Sequence, residues 1–415
     1  MSESVNPARS TQRGKASDLI SYALIAGGVW LAWEVVKIPV VERAPPSVAL
    51  GLSPDSASAL TRAAETELAE ERHDNASELS GLALARAPFN ARALRIRGLA
   101  QAARNIDAAD RMLTLAGNWS LRDDPAHSWL VEHRLRSGDY RSAFAHADTL
   151  ARRRVDLHSS IFPLFNAAAT ADPRTLAILV DLVAKNPPWR AAYFAELQKD
   201  AKDSPILIAL AVALERVDGR LTNAELNQLY ATLLPRGQYA ALDYLRQTLK
   251  RPAISNVVDG EFSDSVEARL LPFGWRLGVG SGVSANIVED DLVTGNLALR
   301  VQYDGVGSTP AAQQLLFLDT GRYSFLVRQR SETPAEADHL RWELKCVATA
   351  NELLPRALGP ITTDWRQFKV EFQVPAGCTT QLLSLKPQPG DRRTIIASWF
   401  DSVAITSSRN TTQEQ

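Results

Sequence analysis

The chain has 415 residues, of which 45% are hydrophobic and 22% charged, and its formal net charge at pH 7 is −1. This length exceeds that of one compact core and predicts two or three folded units. The near-zero charge, in a sequence without a basic tail carrying interleaved aromatic residues, excludes nucleic acid as an expected partner.

An apolar run near the N-terminus, residues 19–36, is long enough to cross a membrane. As a helix it spans about 27 Å, close to the thickness of a bilayer core. Trp30 and Trp33 lie near its far end, where aromatic rings favour the membrane interface. Glu34 and Lys37 have the spacing of an ion pair on one helix face. We therefore expect a transmembrane helix here.

The basic residues before the run predict its orientation. Arg9, Arg13 and Lys15 precede it, so the positive-inside rule places residues 1–18 in the cytoplasm. Residues 19–41 then form the transmembrane helix, and the rest of the chain lies on the periplasmic side of a bacterial inner membrane. A cleaved signal peptide is the alternative, although no small-x-small cleavage site follows the run closely.

Two prolines, Pro45 and Pro46, follow the apolar run. Because proline lacks an amide hydrogen and clashes with the preceding helical turn, we expect the helix to end before them. Residues 42–52 are therefore predicted to be a linker that tethers the membrane helix without packing against it.

Residues 53–252 have the composition and periodicity of an α-helical repeat domain. Ala, Leu, Arg and Glu are frequent, and apolar residues recur at intervals of three and four. Ile96 and Ala109 recur 34 residues later as Leu130 and Ala143. That period is typical of repeats built from paired helices.

The segment PAHSWLVEHRLRSGDYRSAFAHADTLAR, residues 125–152, resembles a tetratricopeptide repeat. Trp129 and Leu130 fall in the first helix, and Ala143 falls where the two helices cross and only a small residue allows close approach. Gly138 can adopt the left-handed conformation that ends the first helix. The resemblance implies an array that binds proteins or peptides. The alternative is a spacer between two functional ends.

The helical region shows no catalytic or metal-binding motif. His127 and His133 are six residues apart, on different helix faces, and no HExxH arrangement is present. No G-x-S-x-G elbow, phosphate-binding glycine loop or catalytic cysteine context occurs either. We therefore expect a non-enzymatic protein. The alternative is a glycan-active enzyme with two unrecognised carboxylates facing each other about 5 to 10 Å apart.

After Pro252 the apolar period changes from 3.6 residues to 2. Alternating strands are predicted at residues 297–303, 323–330, 340–347 and 368–374. Short alternating strands separated by Gly, Pro, Asp and Thr predict an antiparallel β-sandwich over residues 253–407. Its first strand is expected within residues 257–275, and residues 408–415 are expected to be a disordered tail.

The order of short motifs in this region resembles a jelly-roll carbohydrate-binding module of the galactose-binding-like kind. The motifs are DGEF, GW, GNLALRV, GRYSFLVRQR, LRWEL, WRQFKVEFQVP and WFDSVAI, and together they cover about residues 254–407. The resemblance implies a concave sheet that holds a glycan, although the same sandwich also serves as an inert accessory domain. It also implies a structural calcium ion, for which Glu261 and Asp401 would be the carboxylate ligands. The alternative is that both residues cap turns.

Alternation divides the strand residues between two faces. The residues expected in the core are Leu299, Val301, Phe325, Val327, Trp342 and Leu344. The opposite phase predicts one polar face, whose glycan-binding candidates are Arg300, Gln302, Arg328, Arg330, Arg341, Glu343 and Lys345. Guanidinium groups there would suit sugar hydroxyls and the carboxylates of acidic sugars. An ordinary solvated face is the alternative.

Four tryptophans, Trp275, Trp342, Trp365 and Trp399, could either stack on sugar rings or lie in the core. The two cysteines of the chain, Cys346 and Cys378, also fall in this region. Cys346 continues the inward phase of its strand and Cys378 follows a strand end. Outside the cytoplasm we expect them to form a disulfide rather than two free thiols.

The predicted fold class is multidomain, α then β: one transmembrane helix, a tetratricopeptide-like helical solenoid and an antiparallel jelly-roll β-sandwich. We expect a periplasmic-side scaffold that binds envelope proteins through its repeats and glycan through its sandwich, in cell-surface or exopolysaccharide assembly or export. A purely structural adaptor, whose sandwich binds protein, is the alternative. No cofactor is expected beyond the structural calcium ion.

Overall fold

The computed structural model describes residues 10–252, 255–264, 269–280, 282–332, 339–354, 362–390, 393 and 395–407, with side chains from residue 21 onward except at position 203. Helices occupy the described chain up to Leu249, and antiparallel strands follow from Arg276. The fold class predicted from the sequence is thus confirmed. The chain divides into two compact units, Met1–Phe165 and Asn166–Gln415.

The first unit begins with a long apolar helix, α1 (Ser10–Arg43). Its portion Ser21–Arg43 has a mean hydropathy of 1.6 and is the helix, among the described residues, that is long and apolar enough to cross a membrane. Glu34 and Lys37 form the predicted ion pair, with 3.6 Å between Oε1 and Nζ. Arg9, on which the orientation partly rests, lies outside the described residues.

The segment expected to be a linker instead contains a helix, α2 (Pro46–Leu52), with Pro46 in its first turn. A small apolar cluster joins α1, α2 and the next helix through Val41, Ala49 and Ala59. The Arg62 guanidinium donates hydrogen bonds to the carbonyl oxygens of Val41 and Ala44, at the end of α1. The apolar helix is therefore packed against the helical array rather than loosely tethered to it.

Three helical hairpins follow in the first unit. They are α3 (Ala57–Ala69) with α4 (His73–Arg86), α5 (Ala91–Gln101) with α6 (Ile106–Trp119), and α7 (Asp124–Arg136) with α8 (Tyr140–Ala151). Ser56, Asn90 and Asp123 each cap the first helix of a hairpin by accepting a hydrogen bond from a backbone amide three residues later. Capping satisfies amides that the helix itself leaves unpaired. The caps recur at intervals of 34 and 33 residues, which is the predicted repeat period.

Two predicted details of the third hairpin are confirmed. Gly138 has a φ of +77°, the left-handed conformation expected at the end of α7. Ala143 is completely buried, as the close crossing of α7 and α8 requires.

The later helices are less regular. They are α9 (His158–Ala171), α10 (Pro173–Ala184), α11 (Arg190–Leu197), α12 (Ser204–Glu215), α13 (Asn223–Leu233) and α14 (Tyr239–Leu249). A capping box between Thr222 and Glu225 begins α13. Gly237 has a φ of +66° in the turn between α13 and α14. This last hairpin lies within the region predicted to be helical, residues 53–252.

The described strands form two antiparallel sheets. They are β1 (Arg276–Leu277), β2 (Val279–Gly280), β3 (Val283–Glu289), β4 (Leu297–Tyr303), β5 (Ala312–Leu316), β6 (Gly321–Ser331), β7 (Leu340–Cys346), β8 (Arg366–Val374), β9 (Gln381–Pro387) and β10 (Ile396–Ser407). One sheet has the order β1-β5-β9-β7 and the other β2-β3-β4-β10-β6-β8. All six residues predicted to face inward lie in the core between these sheets.

The first strand was expected within residues 257–275, but the described residues of this stretch contain no strand. Instead, Val403 donates its amide to the Gly260 carbonyl at 2.9 Å, so residues around Gly260 lie against the irregular part of β10. A Cβ atom at Gly260 would be 1.9 Å from the Val403 carbonyl oxygen. Only glycine permits this approach, which replaces strand pairing here.

Within the second unit, α13 and α14 pack against the sandwich. The rings of Tyr230 and Phe273 meet edge to face, 4.9 Å between centroids. The Arg246 guanidinium lies 5.8 Å from the Phe273 ring centroid and 5.5 Å from that of Phe317. The Asn227 side chain accepts a hydrogen bond from the Leu271 amide. The last hairpin and the sandwich therefore share one packed interior.

Candidate functional site

The seven predicted glycan-binding residues do not share one face. Arg300, Gln302, Arg328 and Arg330 lie on β4 and β6, on the outer face of the six-stranded sheet. Arg341, Glu343 and Lys345 lie on β7, on the outer face of the four-stranded sheet. The prediction of a single face is wrong because alternation distinguishes inside from outside but does not say to which sheet a strand belongs.

On the six-stranded sheet, arginine and tryptophan side chains alternate in a row that we call the ladder: Arg300, Trp399, Arg330, Trp365 and Arg328. Trp399 on β10 lies directly opposite both Arg300 and Arg330 in the strand register. The Arg330 guanidinium is 4.5 Å from the Trp399 ring centroid and 5.5 Å from that of Trp365. Arg300 lies 5.6 Å from Trp399, and Arg328 lies 5.1 Å from Trp365. These distances are those of cation–π contacts.

Carboxylates complete the ladder. Asp290 is buried and accepts hydrogen bonds from Arg330 at 2.9 Å and from the Trp365 indole at 2.8 Å. Burial raises the pKa of Asp290, but hydrogen bonds from the Leu292 amide, the Trp365 indole and Arg330 outweigh it, so the pKa lies below its ordinary value. Glu332 accepts hydrogen bonds from the Trp399 indole at 3.1 Å and from Arg300. Indole and guanidinium groups are thus held in fixed orientations.

The ladder residues differ in exposure. Arg330 and Trp399 are buried, whereas the side chains of Arg300 and Arg328 are 28% and 37% exposed. Gln302 is exposed beside Arg300, and with its amide oxygen turned toward Arg300 it accepts a hydrogen bond at 2.9 Å. The accessible part of the ladder is therefore the pair Arg300 and Arg328 with the neighbouring Gln302, which we call the rim. Buried Arg330 and Trp399 form the rigid base of the ladder.

The charges of the ladder are nearly balanced. Arg300 pairs with Glu332, Arg328 with Asp401, and Arg330 with both Asp290 and Asp291. An acidic sugar would have to displace one of these internal carboxylates. Uncharged hydroxyls, in contrast, can donate to the carboxylates and accept from the guanidinium groups without displacing either.

The other two tryptophans lie in the core. Trp275 and Trp342 pack against each other with ring centroids 5.9 Å apart, and Trp342 also contacts Phe325 and Phe400. Neither is available to a ligand.

The four-stranded sheet carries a different cluster on its outer face. The Glu343 carboxylate, 9% exposed, lies 2.6 Å from the Lys345 ammonium and 2.5 Å from that of Lys386. Arg341 lies 3.7 Å from the same carboxylate and also pairs with Glu352. Burial raises the pKa of Glu343, but the two lysines outweigh it and lower the pKa overall.

Glu261 and Asp401, the calcium candidates, both contact Ser402. The Ser402 hydroxyl donates to Glu261 at 2.9 Å, and its amide donates to Asp401 at 2.7 Å. The other Asp401 oxygen accepts from Arg328 and Asn296. Calcium requires about six to eight oxygen ligands, and the described residues contain no group of three or more potential metal ligands. Because N–H groups occupy both Asp401 oxygens, the residues around Asp401 do not fit a calcium ion.

Cys346 and Cys378 are joined by a disulfide, with 5.6 Å between their Cα atoms. Both are buried, and Cys346 belongs to the core of the sandwich. The bond connects the end of β7 to the segment before β9.

The helical array presents exposed apolar side chains at its turns. Leu121 and Val155, separated by one repeat of 34 residues, are 63% and 76% exposed. Phe89, in the turn before α5, is 84% exposed and contacts Trp119, with ring centroids 5.7 Å apart. Such residues, recurring at the same edge of successive repeats, are suited to contact another protein.

Sequence reasoning missed the partners that complete each cluster. Asp290 and Glu332 directly follow the ends of β3 and β6 and were not assigned to the sheet face. Lys386 lies on β9, a strand that was not predicted. The outward orientation of Trp399 could have been predicted from the segment WFDSVAI, because Trp399 shares the strand phase of Asp401 and is opposite in phase to Phe400.

No family model matches the chain, and no curated protein matches it. Several solved structures are similar to parts of it. One, described as "CBM4 structure and function", is 16% identical with a TM-score of 0.29, covering 36% of this chain and 99% of that one. A CBM22-1 xylan-binding domain from Paenibacillus barcinonensis Xyn10C is 12% identical with a TM-score of 0.26, covering 32% and 85%. Pseudomonas aeruginosa pilF is 17% identical with a TM-score of 0.25, covering 58% and 94%.

Proposed function

We propose that this chain is a non-enzymatic, membrane-anchored binding protein whose sandwich holds a glycan and whose helical array holds a protein partner. Helix α1 is the anchor, and the two binding parts lie on the periplasmic side of a bacterial inner membrane. This combination suits assembly or export of a cell-surface polysaccharide, in which a polymer has to be kept near the proteins that handle it.

The observation that carries the glycan proposal is the ladder. Its indole and guanidinium planes are held by cation–π contacts and by hydrogen bonds to Asp290 and Glu332. A partly exposed Trp365 offers an apolar ring surface, and the rim offers both donors and acceptors. Rigid aromatic and hydrogen-bonding groups side by side suit a sugar, which has apolar ring faces and hydroxyl edges.

The paired charges of the ladder favour a neutral glycan over an acidic one. Because Arg300 and Arg328 already have acid partners, a uronate gains less from them than it would from free guanidinium groups. We therefore expect binding through hydroxyls, with weak dependence on salt concentration.

The test is binding of the full chain, in detergent micelles, to a panel of neutral and acidic bacterial polysaccharides. The double variant Arg300→Gln, Arg328→Gln should lose at least tenfold in affinity for a neutral polysaccharide. Arg322→Gln is the matched control, because Arg322 is exposed on the same strand and face but six residues from Arg328. Absence of saturable binding across the panel would refute the glycan role and leave the protein adaptor.

The protein-binding role of the array rests on its exposed apolar turns. The double variant Leu121→Lys, Val155→Lys should release a partner that crosslinks to the wild-type chain in membranes, since a charge cannot be buried cheaply in an apolar contact. Arg141→Glu, at an exposed position of α8, is the control. Equal crosslinking of all three proteins would contradict this role.

A further inference from the structure

A cleft of about 220 Å³ opens on the second unit, at the outer face of the four-stranded sheet. Leu234 and Tyr239, from the turn between α13 and α14, line one side of it together with Pro272. Leu315 on β5 and Leu382 on β9 belong to the sheet side, and Arg276 on β1 lies at the sheet edge. The cleft is separate from the ladder, which occupies the opposite outer face of the sandwich.

The strand register connects this cleft to the charged cluster on β7. Leu315 pairs with Leu382, and Leu382 pairs with Lys345, so these three side chains form one row on the outer face. Neighbouring strands are about 4.8 Å apart. Leu382 on the floor of the cleft therefore lies directly opposite Lys345 on the neighbouring strand, and Lys386 follows four residues later on the same strand as Leu382.

Cations outnumber acids along this face. Its cations are Arg276, Arg341, Lys345 and Lys386, and its acids are Glu343 and Glu352. The side chains of Lys345 and Lys386 are 36% and 35% exposed while sharing the Glu343 carboxylate. No described acid pairs with Arg276. Unlike the ladder, this face can therefore accept a further negative charge without displacing an internal carboxylate.

We propose that this cleft is a second binding site, for a small anion that joins a carboxylate or phosphate group to one ring or a short acyl chain. The apolar body lies over Leu315 and Leu382, and the anionic group contacts Lys345 and Lys386. Pockets for drug-sized ligands have volumes of roughly 300–1,000 Å³, so a cleft of this size holds a single ring rather than a polymer.

The anionic group and the ring make separable contributions. A lysine ammonium binds phosphate and carboxylate as a compact charge, so that both anions are accommodated. Removing the charge from the ligand removes the attraction but leaves the apolar contact with the cleft floor. Partial exposure of the lysines also makes this attraction sensitive to salt.

The experiment titrates the full chain, in detergent micelles, with phenyl phosphate, benzoate and the uncharged benzamide, followed by ligand-observed NMR. We expect both anions to bind at least tenfold more tightly than benzamide, with affinity falling as salt rises. A stronger response to phenyl phosphate than to benzoate identifies phosphate as the preferred group, and the reverse identifies carboxylate. Equal binding of all three probes would overturn the proposal.

Variants locate the site. Lys345→Gln, Lys386→Gln should reduce the affinity for the anions at least tenfold, whereas Arg300→Gln, Arg328→Gln, on the opposite face, should leave it unchanged. If the double variant fails to fold, the single variant Lys345→Gln serves instead, because it leaves Lys386 paired with Glu343, and it should lower the affinity several-fold. Unchanged affinity in the folded double variant, or in Lys345→Gln when the double variant is unfolded, would refute the proposed site.

Discussion

The Nδ1 atom of His127 on α7 lies 3.0 Å from the Nδ1 atom of His146 on α8. One ring must donate and the other accept, so this hydrogen bond requires that at least one ring be neutral. Burial lowers the pKa of both, that of His146 to about 4. The charged groups that act on this pair are Asp110, Asp123, Asp124, Arg134, Asp139 and Arg153.

This pair predicts an acid-sensitive third hairpin. A histidine with a folded-state pKa below the unfolded value of about 6.5 stabilises the fold when neutral; the contribution is complete above that pH and is lost as the pH falls toward about 4. We expect amide hydrogen exchange in α7 and α8 to accelerate as the pH falls over this range, because the free energy of opening the hairpin decreases by on the order of 1–3 kcal/mol. His146→Gln should weaken the pH dependence of exchange in these two helices, whereas His73→Gln, at an exposed position, should leave it unchanged. Identical profiles for all three proteins would contradict this account.

Arg330 is expected to matter for stability more than for ligand contact. It is buried against Asp290, and removing one member of a buried ion pair costs about 3–5 kcal/mol because the other charge remains unpaired. Arg330→Met should therefore lower the free energy of unfolding, and with it the denaturant midpoint, by a large amount. Arg300→Gln, at the exposed rim, should lower the free energy of unfolding by less than about 1 kcal/mol. The double variant Arg330→Met, Asp290→Asn should recover part of the loss. A neutral effect of the single Arg330 variant would show that the pair is not buried in solution.

Gly260→Ala tests the contact that replaces the predicted first strand. The new methyl group would overlap the Val403 carbonyl oxygen, so the segment has to move away from β10. We expect a loss of about 2–3 kcal/mol, typical of overpacking at a rigid site. Gly321→Ala is the control, since its added Cβ meets only the Tyr323 ring at 3.7 Å. Equal thermal midpoints for the two variants would mean that the segment around Gly260 yields easily.

The disulfide is expected to stabilise the sandwich. It closes a loop of 32 residues in sequence separation, which in the chain-entropy view contributes about 3–4 kcal/mol. Cys346→Ala, Cys378→Ala should lower the free energy of unfolding by this amount. Thiol titration of protein purified from an oxidising compartment should find no free thiol, and recovery of two would argue against the bond.

Calcium should leave stability unchanged. Because both Asp401 oxygens accept hydrogen bonds from N–H donors, we expect the same melting temperature with added Ca²⁺ and with chelator. A calcium-dependent increase in melting temperature that disappears in Asp401→Asn would contradict this prediction and would support a calcium site at Asp401.

Local pattern was sufficient for four of the strands, β4, β6, β7 and β8. The predicted residues 297–303 coincide with β4, because alternation of period 2 is a property of neighbouring residues. Sheet membership was not predictable, since pairing of β7 with β9 and of β6 with β10 joins distant residues. The glycan candidates were therefore sorted correctly as outward-facing but were merged into one face.

The linker prediction shows a second limit. Pro45 and Pro46 predict that the apolar helix ends before them, and α1 does end at Arg43. The linker prediction is wrong because proline in the first turn costs a helix nothing, since the amide there has no intrahelical partner. Pro46 accordingly begins α2. Whether such a pair of prolines separates or joins two helices is decided by packing, here by the contact of Val41 with Ala49.

The hydrogen bonds from Arg62 to the end of α1 have a mechanical consequence for the proposed anchor. A force on the first hairpin is transmitted directly to the apolar helix, through the Arg62 guanidinium and the small apolar cluster, because no flexible linker separates them. In the proposed membrane-anchored protein, the distance over which the first repeats can move is then set by the tilt of α1 in the lipid and not by the length of a flexible tether.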